Sequence, residues 1–170
     1  ETQETMKIIA AGNIFTGTFE RDGMGGILTL GRNFECRPNK LKGYYKYTSA
    51  KVSVSKGHLN EGEDDLCSLY IALTDEQITV NTNKGIYFDP NSSAVIAYGS
   101  ISDEESKGAD SFKEFTVDLE YKDLKRIPKY IIVVASSSKY GDYMEGGKGS
   151  TMWLDDLELV YPKSMEEVRK

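Results

Sequence analysis

The stretch Phe112-Lys-Glu-Phe-Thr-Val-Asp-Leu-Glu-Tyr121 decides the fold class, because its side chains alternate between apolar and polar. Successive side chains of an extended chain point to opposite faces, so Val117, Leu119 and Tyr121 share one face and polar residues occupy the other. A strand with one apolar and one polar face is typical of an antiparallel sheet that covers a core on one side. The stretch therefore predicts an antiparallel β-sheet.

A second stretch, Ile131-Ile-Val-Val-Ala135, is continuously apolar and predicts a central strand buried on both faces. β-Branched and aromatic residues, separated by turn residues, predict further strands. Together the predicted strands cover residues 13–20, 26–30, 43–49, 66–73, 94–99, 112–121, 130–136 and 151–161. No window longer than about ten residues keeps a helical period, and a terminal turn over residues 164–169 is the only short candidate. About eight strands at this spacing predict an all-β fold, a two-sheet antiparallel jelly-roll sandwich.

The 170 residues, 39% of them hydrophobic and 28% charged, suit one folded domain. We predict a β-sandwich domain over residues 1–161 and a polar C-terminal tail over residues 162–170. The formal net charge of −6 disfavours nucleic acid as a partner, because phosphate binding needs a basic face. No apolar run approaches the roughly 20 residues of a transmembrane helix, so the chain is not expected to span a membrane. The first residues carry no signal peptide and the chain opens without Met, which indicates a processed or truncated start.

The familiar catalytic residues are scarce, with two cysteines and one histidine in the chain. Cys36, Cys67 and His58 supply too few ligands for a structural zinc site. Two buried thiols are the favoured interpretation of the cysteines, and a disulfide closing a loop of about 30 residues is the alternative. His58 lies in a polar stretch and no nucleophile elbow accompanies it, so we expect it to be exposed and inert. The segment Gly146-Gly-Lys-Gly-Ser-Thr151 departs from the phosphate-loop pattern and is interpreted as a flexible turn.

Carboxylates are the remaining candidates for catalysis or metal binding. Four of them lie together in residues 61–65, where we expect all, Asp65 included, to be ionised in solvent, with a weak calcium site as the alternative. Alternation in the last strand, Trp153-Leu-Asp-Asp-Leu-Glu-Leu-Val-Tyr161, places Asp155 on an apolar face with Trp153. A buried aspartate needs backbone amides, a basic side chain or a hard cation. Structural hydrogen bonding is favoured, and a structural calcium ion at Asp155 or Asp156 is the alternative.

The last strand resembles the closing strand of galactose-binding-like jelly rolls found in many carbohydrate-binding modules. These commonly end with an apolar pair, Asp-Asp and alternating apolar residues. The opening Gly12-Asn-Ile-Phe-Thr-Gly-Thr-Phe-Glu20 is similar to their first strand.

A resemblance along nearly the whole chain is to the putative carbohydrate metabolism domain family of secreted proteins from gut bacteria. It rests, in chain order, on Arg37-Pro-Asn-Lys-Leu-Lys-Gly-Tyr-Tyr-Lys-Tyr47, Leu69-Tyr-Ile-Ala-Leu-Thr74, Tyr87-Phe-Asp-Pro90, Ala94-Val-Ile-Ala-Tyr-Gly99, residues 131–143, Gly146-Gly-Lys-Gly-Ser-Thr151 and the last strand. The resemblance implies a jelly-roll sandwich in a cell-envelope lipoprotein or a secreted protein with a role in glycan handling. Family members often carry an additional N-terminal immunoglobulin-like module, and the family supplies no catalytic residues to carry over.

The 11 tyrosines are the candidates for glycan contact, because flat aromatic rings stack on the C–H face of a sugar. Tyr45 and Tyr47 share the strand face expected to enter the core. Tyr44 and Lys46 are therefore predicted to face solvent and a ligand. The loop 136–143, at the end of the sandwich, supplies the remaining predicted ligand-binding residues: Lys139, Tyr140, Asp142 and Tyr143.

The favoured function is a non-catalytic carbohydrate-binding module with a glycan ligand and no required enzyme cofactor. One alternative is a glycoside hydrolase or lyase that uses carboxylates in a sandwich groove, and another is a structural module that binds a protein partner. Two convergent carboxylates in a cleft, one of them desolvated, would favour the enzyme. A shallow aromatic platform would favour binding.

Overall fold

The computed structural model describes residues 7–23 and 25–163, and strands make up nearly all of its regular structure. The strands within these residues are β1 (Asn13–Phe15), β2 (Gly17–Asp22), β3 (Gly25–Leu30), β4 (Arg32–Asn33), β5 (Lys40–Thr48), β6 (Val52–Val54), β7 (Ser68–Thr74), β8 (Ile78–Asn81), β9 (Val95–Ser100), β10 (Ala109–Asp118), β11 (Glu120–Tyr121), β12 (Tyr130–Ser136), β13 (Gly146–Gly147) and β14 (Thr151–Val160). The short helix α1 (Asp103–Ser106) begins at a capping box formed by Ser102 and Glu105. No helix in the described ranges is long and apolar enough to cross a membrane. The terminal turn predicted over residues 164–169 lies outside the described residues.

The strands form three main antiparallel sheets, which confirms the predicted class of sheet. The central sheet has the order β1-β12-β7-β9-β11, and β4 also pairs with β12. The outer sheet has the order β10-β5-β14, and the hairpin sheet has the order β2-β3-β8. The short strands β13 and β6 pair separately. Strand β12 has neighbours on both sides, as its continuous apolar sequence predicts.

Two apolar clusters cover the two faces of the central sheet. The larger cluster lies between the central and outer sheets and includes Leu41, Tyr45, Tyr47, Leu69, Ile71, Leu73, Phe115 and Val117. The smaller cluster lies between the central and hairpin sheets and is built on Leu30, Ala72, Val80 and Ile132. The molecule therefore has three layers where two sheets were expected, because a strand that is apolar on both faces needs a cover on each. The all-β antiparallel class is confirmed, and the galactose-binding-like jelly-roll connectivity stays a prediction.

The hairpin sheet reaches the second face of the central sheet because the predicted strand 13–20 bends at Thr16. The Thr16 hydroxyl donates to the carbonyl of Ile131 and accepts from the amide of Val133, both at 2.9 Å, which fixes the bend. A Cβ atom on the next residue, Gly17, would lie 2.4 Å from the carbonyl oxygen of Thr29. The returning strand turns at Gly31, whose φ of +113° favours glycine. The bend folds β2 and β3 over the central sheet and leaves a cleft between the hairpin sheet and the central sheet.

The tyrosines of β5 point as predicted. Tyr45 and Tyr47 are buried, and their hydroxyls donate to the carbonyls of Glu105 at 2.9 Å and Ser137 at 3.0 Å. Burial raises the pKa of Tyr45 to about 12. Tyr44 lies on the opposite face and is 42% exposed.

The single apolar face predicted for the last strand is wrong. Met152 and Leu154 pack against the core, whereas Trp153 faces solvent. A β-bulge between Asp155 and Glu158 shifts the register against β5, with Asp156 in the left-handed region at φ 49°. An extra residue in one strand reverses the side-chain alternation beyond it.

Candidate functional site

A buried carboxylate fixes the loop that follows β12. We call residues 137–145 the site loop. At its end, Glu145 has no solvent exposure, and its carboxylate accepts hydrogen bonds from the amides of Lys56, His58 and Leu59 and from the His58 imidazole. Burial alone would raise the pKa of Glu145, but the hydrogen bonds from the imidazole and the amides outweigh it and lower the pKa. Glu145 therefore ties the site loop to residues 56–59.

Asp65 is the second anchor of this region. Its Oδ2 accepts from the hydroxyls of Ser138 at 2.6 Å and Ser150 at 2.8 Å and from the amide of Gly147 at 2.8 Å. Asp65 is only 1% exposed, so the expectation that residues 61–65 all lie in solvent is wrong at this position. The partners come from more than 70 positions along the chain, and alternation or composition cannot indicate them. The glycine-rich segment is likewise structural, since Gly146–Gly147 forms β13 and Gly147 donates to Asp65.

The site loop and residues 56–59 together build a row of aromatic rings. The His58 ring stacks on Tyr140 with centroids 4.3 Å apart, and it also contacts Tyr143 at 4.4 Å. Tyr143 stacks in turn on Tyr87 at 4.0 Å. His58 is thus a structural partner of Glu145 and of two site-loop tyrosines, and the expectation of an inert exposed histidine missed these contacts. Part of the Tyr143 ring is covered by its neighbours, and the residue is 36% exposed.

Three adjoining cavities form a cleft on the second face of the central sheet. The first, of about 310 Å³, has an aromatic floor and carries charged residues from the site loop and α1. The second, of about 60 Å³, is a neck between the central and hairpin sheets. The third, of about 480 Å³, is mainly apolar. Asp142 lines all three cavities, so we call them together the Asp142 cleft.

The floor of the first cavity consists of Tyr70, Phe88 and Tyr98. Tyr70 stacks on Phe88 with centroids 4.9 Å apart, and Tyr98 lies 5.9 Å from Tyr70. Burial raises the pKa of Tyr70, so its hydroxyl stays protonated near neutral pH. Sequence reasoning missed this floor, although Tyr70 and Tyr98 lie in predicted strands. Both faces of the central sheet are apolar, so alternation could not show which face carries the cleft.

The charges of the cleft fall into a pair and a single carboxylate. Lys139 contacts Asp103 at 3.0 Å, and this hydrogen bond and charge lower the pKa of Asp103. Asp142 makes no hydrogen bond or ion pair with any described residue, and desolvation by the protein atoms around this exposed residue raises its pKa. Water reaches the Asp142 side chain, but the surrounding concave wall restricts its hydration. The site therefore offers an unpaired carboxylate beside aromatic rings.

The six predicted ligand-binding residues fall on two separate surfaces. Lys139, Asp142 and Tyr143 line the Asp142 cleft, and Tyr140 is in the ring row beside it. Tyr44 and Lys46 lie on the outward face of the outer sheet, with the core between them and the cleft. The Lys46 ammonium sits 4.9 Å from the centroid of the Trp153 ring. The structure thus brings four of the residues together and leaves two apart.

The candidate calcium ligands lie on the outer sheet. Asp155 is exposed, so its predicted place on an apolar face is wrong, and its carboxylate accepts from the backbone amide of Asp156 at 2.9 Å. Within residues 7–23 and 25–163, no group of three or more His, Cys, Asp or Glu residues is placed to hold a metal ion. A calcium ion at Asp155 or Asp156 stays a prediction. Both cysteines are free thiols, so the disulfide alternative is wrong, and the expected burial holds for Cys67 but is wrong for the exposed Cys36.

The chain is similar to two solved structures from Bacteroides. One, a putative glycoside hydrolase from Bacteroides thetaiotaomicron, is 26% identical with a TM-score of 0.69, and the match covers 91% of this chain and 48% of that one. The other, a putative glycoside hydrolase from Bacteroides vulgatus, is 26% identical with a TM-score of 0.68, and the match covers 89% of this chain and 64% of that one. The chain thus spans about half of the first and less than two thirds of the second. No curated protein matches it in sequence.

The sequence profile of one family matches almost the whole chain, residues 1–160. Its description is the putative carbohydrate metabolism domain, which confirms the resemblance found in the sequence. The chain belongs to the putative carbohydrate metabolism domain family.

Proposed function

We propose that the chain is a non-catalytic glycan-binding module whose ligand occupies the Asp142 cleft. The observation that carries the proposal is the pairing of an aromatic floor with convergent polar groups in one cavity. Sugar rings present an apolar C–H face and a rim of hydroxyls, and sites that bind them combine flat rings with fixed hydrogen-bonding groups. Tyr70 and Phe88 supply the rings, and Asp142 and Lys139 supply the polar groups.

The anchors of the site loop support binding by a preformed site. Glu145 and Asp65 hold both ends of the loop through charge-assisted hydrogen bonds. A loop that is already fixed loses less conformational entropy when a ligand binds. Membership in a carbohydrate-related family supports a glycan as the ligand. The proposal includes a cell-envelope or secreted location and requires no enzyme cofactor.

A hydrolytic role has weaker support from the geometry. Asp103 and Asp142 line the same cavity, and their pKa values move in opposite directions. The Asp103 side chain, however, is 95% exposed and paired with Lys139. Glycoside hydrolysis needs two carboxyl groups that face each other across an enclosed bond, roughly 5–9.5 Å apart. We therefore treat hydrolysis as an outcome that the binding experiment must detect.

The test is a glycan array followed by calorimetric titration of the best ligand into the purified chain. Tyr143→Ala removes a ring from the cleft wall and should weaken binding at least tenfold. Tyr44→Ala removes a similarly exposed ring from the outer sheet and should leave the affinity unchanged. Circular dichroism of both variants checks that each is folded.

Each of the other results overturns the proposal in a recognisable way. Loss of binding in Tyr44→Ala alone would place the ligand on the outer sheet. Release of reducing ends from the bound glycan, abolished in Asp142→Asn, would identify a hydrolase. No binding to any glycan, together with a protein recovered by crosslinking, would identify an assembly module.

A further inference from the structure

The described residues that line the Asp142 cleft include few charged groups. Among the described residues that line its three cavities, only Asp103, Lys139 and Asp142 are charged. Of these three, Asp142 and Lys139 line the neck, and Asp142 lines the apolar cavity. The described lining therefore carries a formal charge of one negative unit when all three are ionised.

Lys139, the only cation among the described residues of the cleft, already pairs with a carboxylate. The Lys139 ammonium lies 3.0 Å from the Asp103 carboxylate, and its side chain is 30% exposed. A lysine that binds a ligand anion must release or share this partner. Asp142, in contrast, has both carboxylate oxygens free of described partners. Among the described residues of the cleft, the unpaired charged group is thus a carboxylate, and no cation is left unpaired.

We propose that the Asp142 cleft selects uncharged or amine-bearing glycans and excludes those that carry uronate or sulfate groups. The inference rests on the proposed function, since it names the class of glycan that the same site takes. The two oxygens of Asp142 accept hydrogen bonds from a pair of ligand hydroxyls or from an amine. A ligand carboxylate or sulfate would instead meet a like charge on the wall of the cleft.

Two further features agree with this selection. Desolvation by the protein atoms around the exposed Asp142 raises its pKa, and donation from a ligand would offset that effect because hydrogen bonds stabilise a carboxylate. The chain as a whole carries a formal net charge of −6, so its long-range field also repels anionic glycans.

The experiment compares one purified chain against an array printed in three charge forms. These are neutral oligosaccharides, oligosaccharides with free amines, and oligosaccharides with uronate or sulfate groups. We expect the best neutral or amine-bearing ligand to bind at least tenfold more tightly than any anionic ligand at low salt. The ratio of the affinity for the neutral or amine-bearing ligand to the affinity for the anionic ligand should fall in 0.5 M NaCl, where the Debye length is below about 8 Å.

Two variants locate the discrimination. Asp142→Asn keeps the shape of the side chain and removes its charge. The ratio of the affinities for neutral and anionic ligands should therefore fall at least fivefold. Asp103→Asn leaves the Lys139 ammonium unpaired, so anionic ligands should gain affinity. Glu104→Gln is the matched control, because this exposed residue of α1 pairs with Lys107 and does not line the cleft.

The failure of this inference is distinguishable from that of the proposed function. Tight binding of uronate or sulfated glycans that is lost in Tyr143→Ala would overturn the charge selection and keep the glycan-binding function. An unchanged preference in Asp142→Asn would also overturn it. Absence of binding to all three charge forms would overturn both.

Discussion

Replacing Glu145 with glutamine should lower the free energy of unfolding by about 3 kcal/mol. Glu145 Oε2 accepts three hydrogen bonds, two from the amides of Lys56 and His58 and one from the His58 imidazole, while Oε1 accepts from the amide of Leu59. In the Gln variant the side-chain oxygen can accept the hydrogen bonds made by either Oε1 or Oε2. The NH₂ group then takes the place of the other oxygen and faces an N–H donor, with which it cannot form a hydrogen bond. Hydrogen bonds to charged groups contribute about 1.5–3 kcal/mol each, and these contributions are not additive. The estimate of about 3 kcal/mol combines the loss of at least one hydrogen bond with the weakening of the others when the carboxylate charge is removed.

The loss should depend on pH with a definite sign. The pKa of Glu145 is lowered from its ordinary value of 4.5 in the folded chain. A carboxyl group with a lowered folded pKa stabilises the fold above the unfolded pKa, and this stability disappears as the pH falls through the folded value. The difference between wild type and Glu145→Gln should therefore be largest at neutral pH and shrink as the pH falls below the ordinary value of 4.5.

Urea unfolding followed by far-UV circular dichroism measures both effects. For a chain of this size a loss of about 3 kcal/mol corresponds to a fall in Tm of about 6–12 °C. Glu120→Gln is the matched control, because Glu120 is exposed on β11 and makes no hydrogen bond with its side chain to any described residue. A Glu145→Gln variant that unfolds within about 0.5 kcal/mol of wild type would refute the anchoring role. So would a deficit that persists unchanged at pH 3.

Three further predictions concern the buried cysteine, the second buried carboxylate and the glycine at the bend after β1. Burial raises the pKa of Cys67 to about 12, so a thiol reagent should modify only the exposed Cys36 in the folded chain and both cysteines in urea. Rapid modification of both cysteines in the folded chain would contradict the burial of Cys67. Asp65→Asn should cost about 2–3 kcal/mol in urea unfolding, because its Oδ2 accepts three hydrogen bonds. Gly17→Ala should cost about 1–3 kcal/mol, since the new Cβ would lie 2.4 Å from a carbonyl oxygen, whereas Gly12→Ala, with its nearest contact at 3.5 Å, should be nearly neutral.

Much of the sheet structure follows from the sequence. The apolar run in β12, the alternation in β10 and the aromatic strand β5 were all predictable, because each carries its pattern over five or more residues. Strands β4, β6 and β13 have two or three residues, too few for a periodic signal. Two strands of the hairpin sheet, β2 and β3, fall within predicted strands, whereas β8 was missed because it has only four residues and is defined by its pairing with β3.

The candidate site was predictable only in part. The site loop carries charged and aromatic residues between glycines, and this composition indicated Lys139 and Asp142. The anchors Asp65 and Glu145 were not indicated, because a buried carboxylate differs from an exposed one only through partners that the fold brings together. His58 is the clearest case, since its role depends on a glutamate 87 positions away.

Because of the order of the layers, one ligand cannot contact both of the surfaces that carry the predicted tyrosines. Tyr44 projects outward from the outer sheet, while Tyr143 borders the cleft on the far side of the central sheet. Stacked sheets lie about 10 Å apart, and the side chains add to that separation, so a sugar in contact with one ring cannot touch the other. Of the two, the outer surface presents a Trp153 ring already in contact with the Lys46 ammonium, whereas the cleft presents an unpaired carboxylate in a concave wall. A concave site with an unpaired polar group can surround a ligand and fix its orientation, and this is why the Asp142 cleft, rather than the more exposed outer face, is the better candidate for glycan binding.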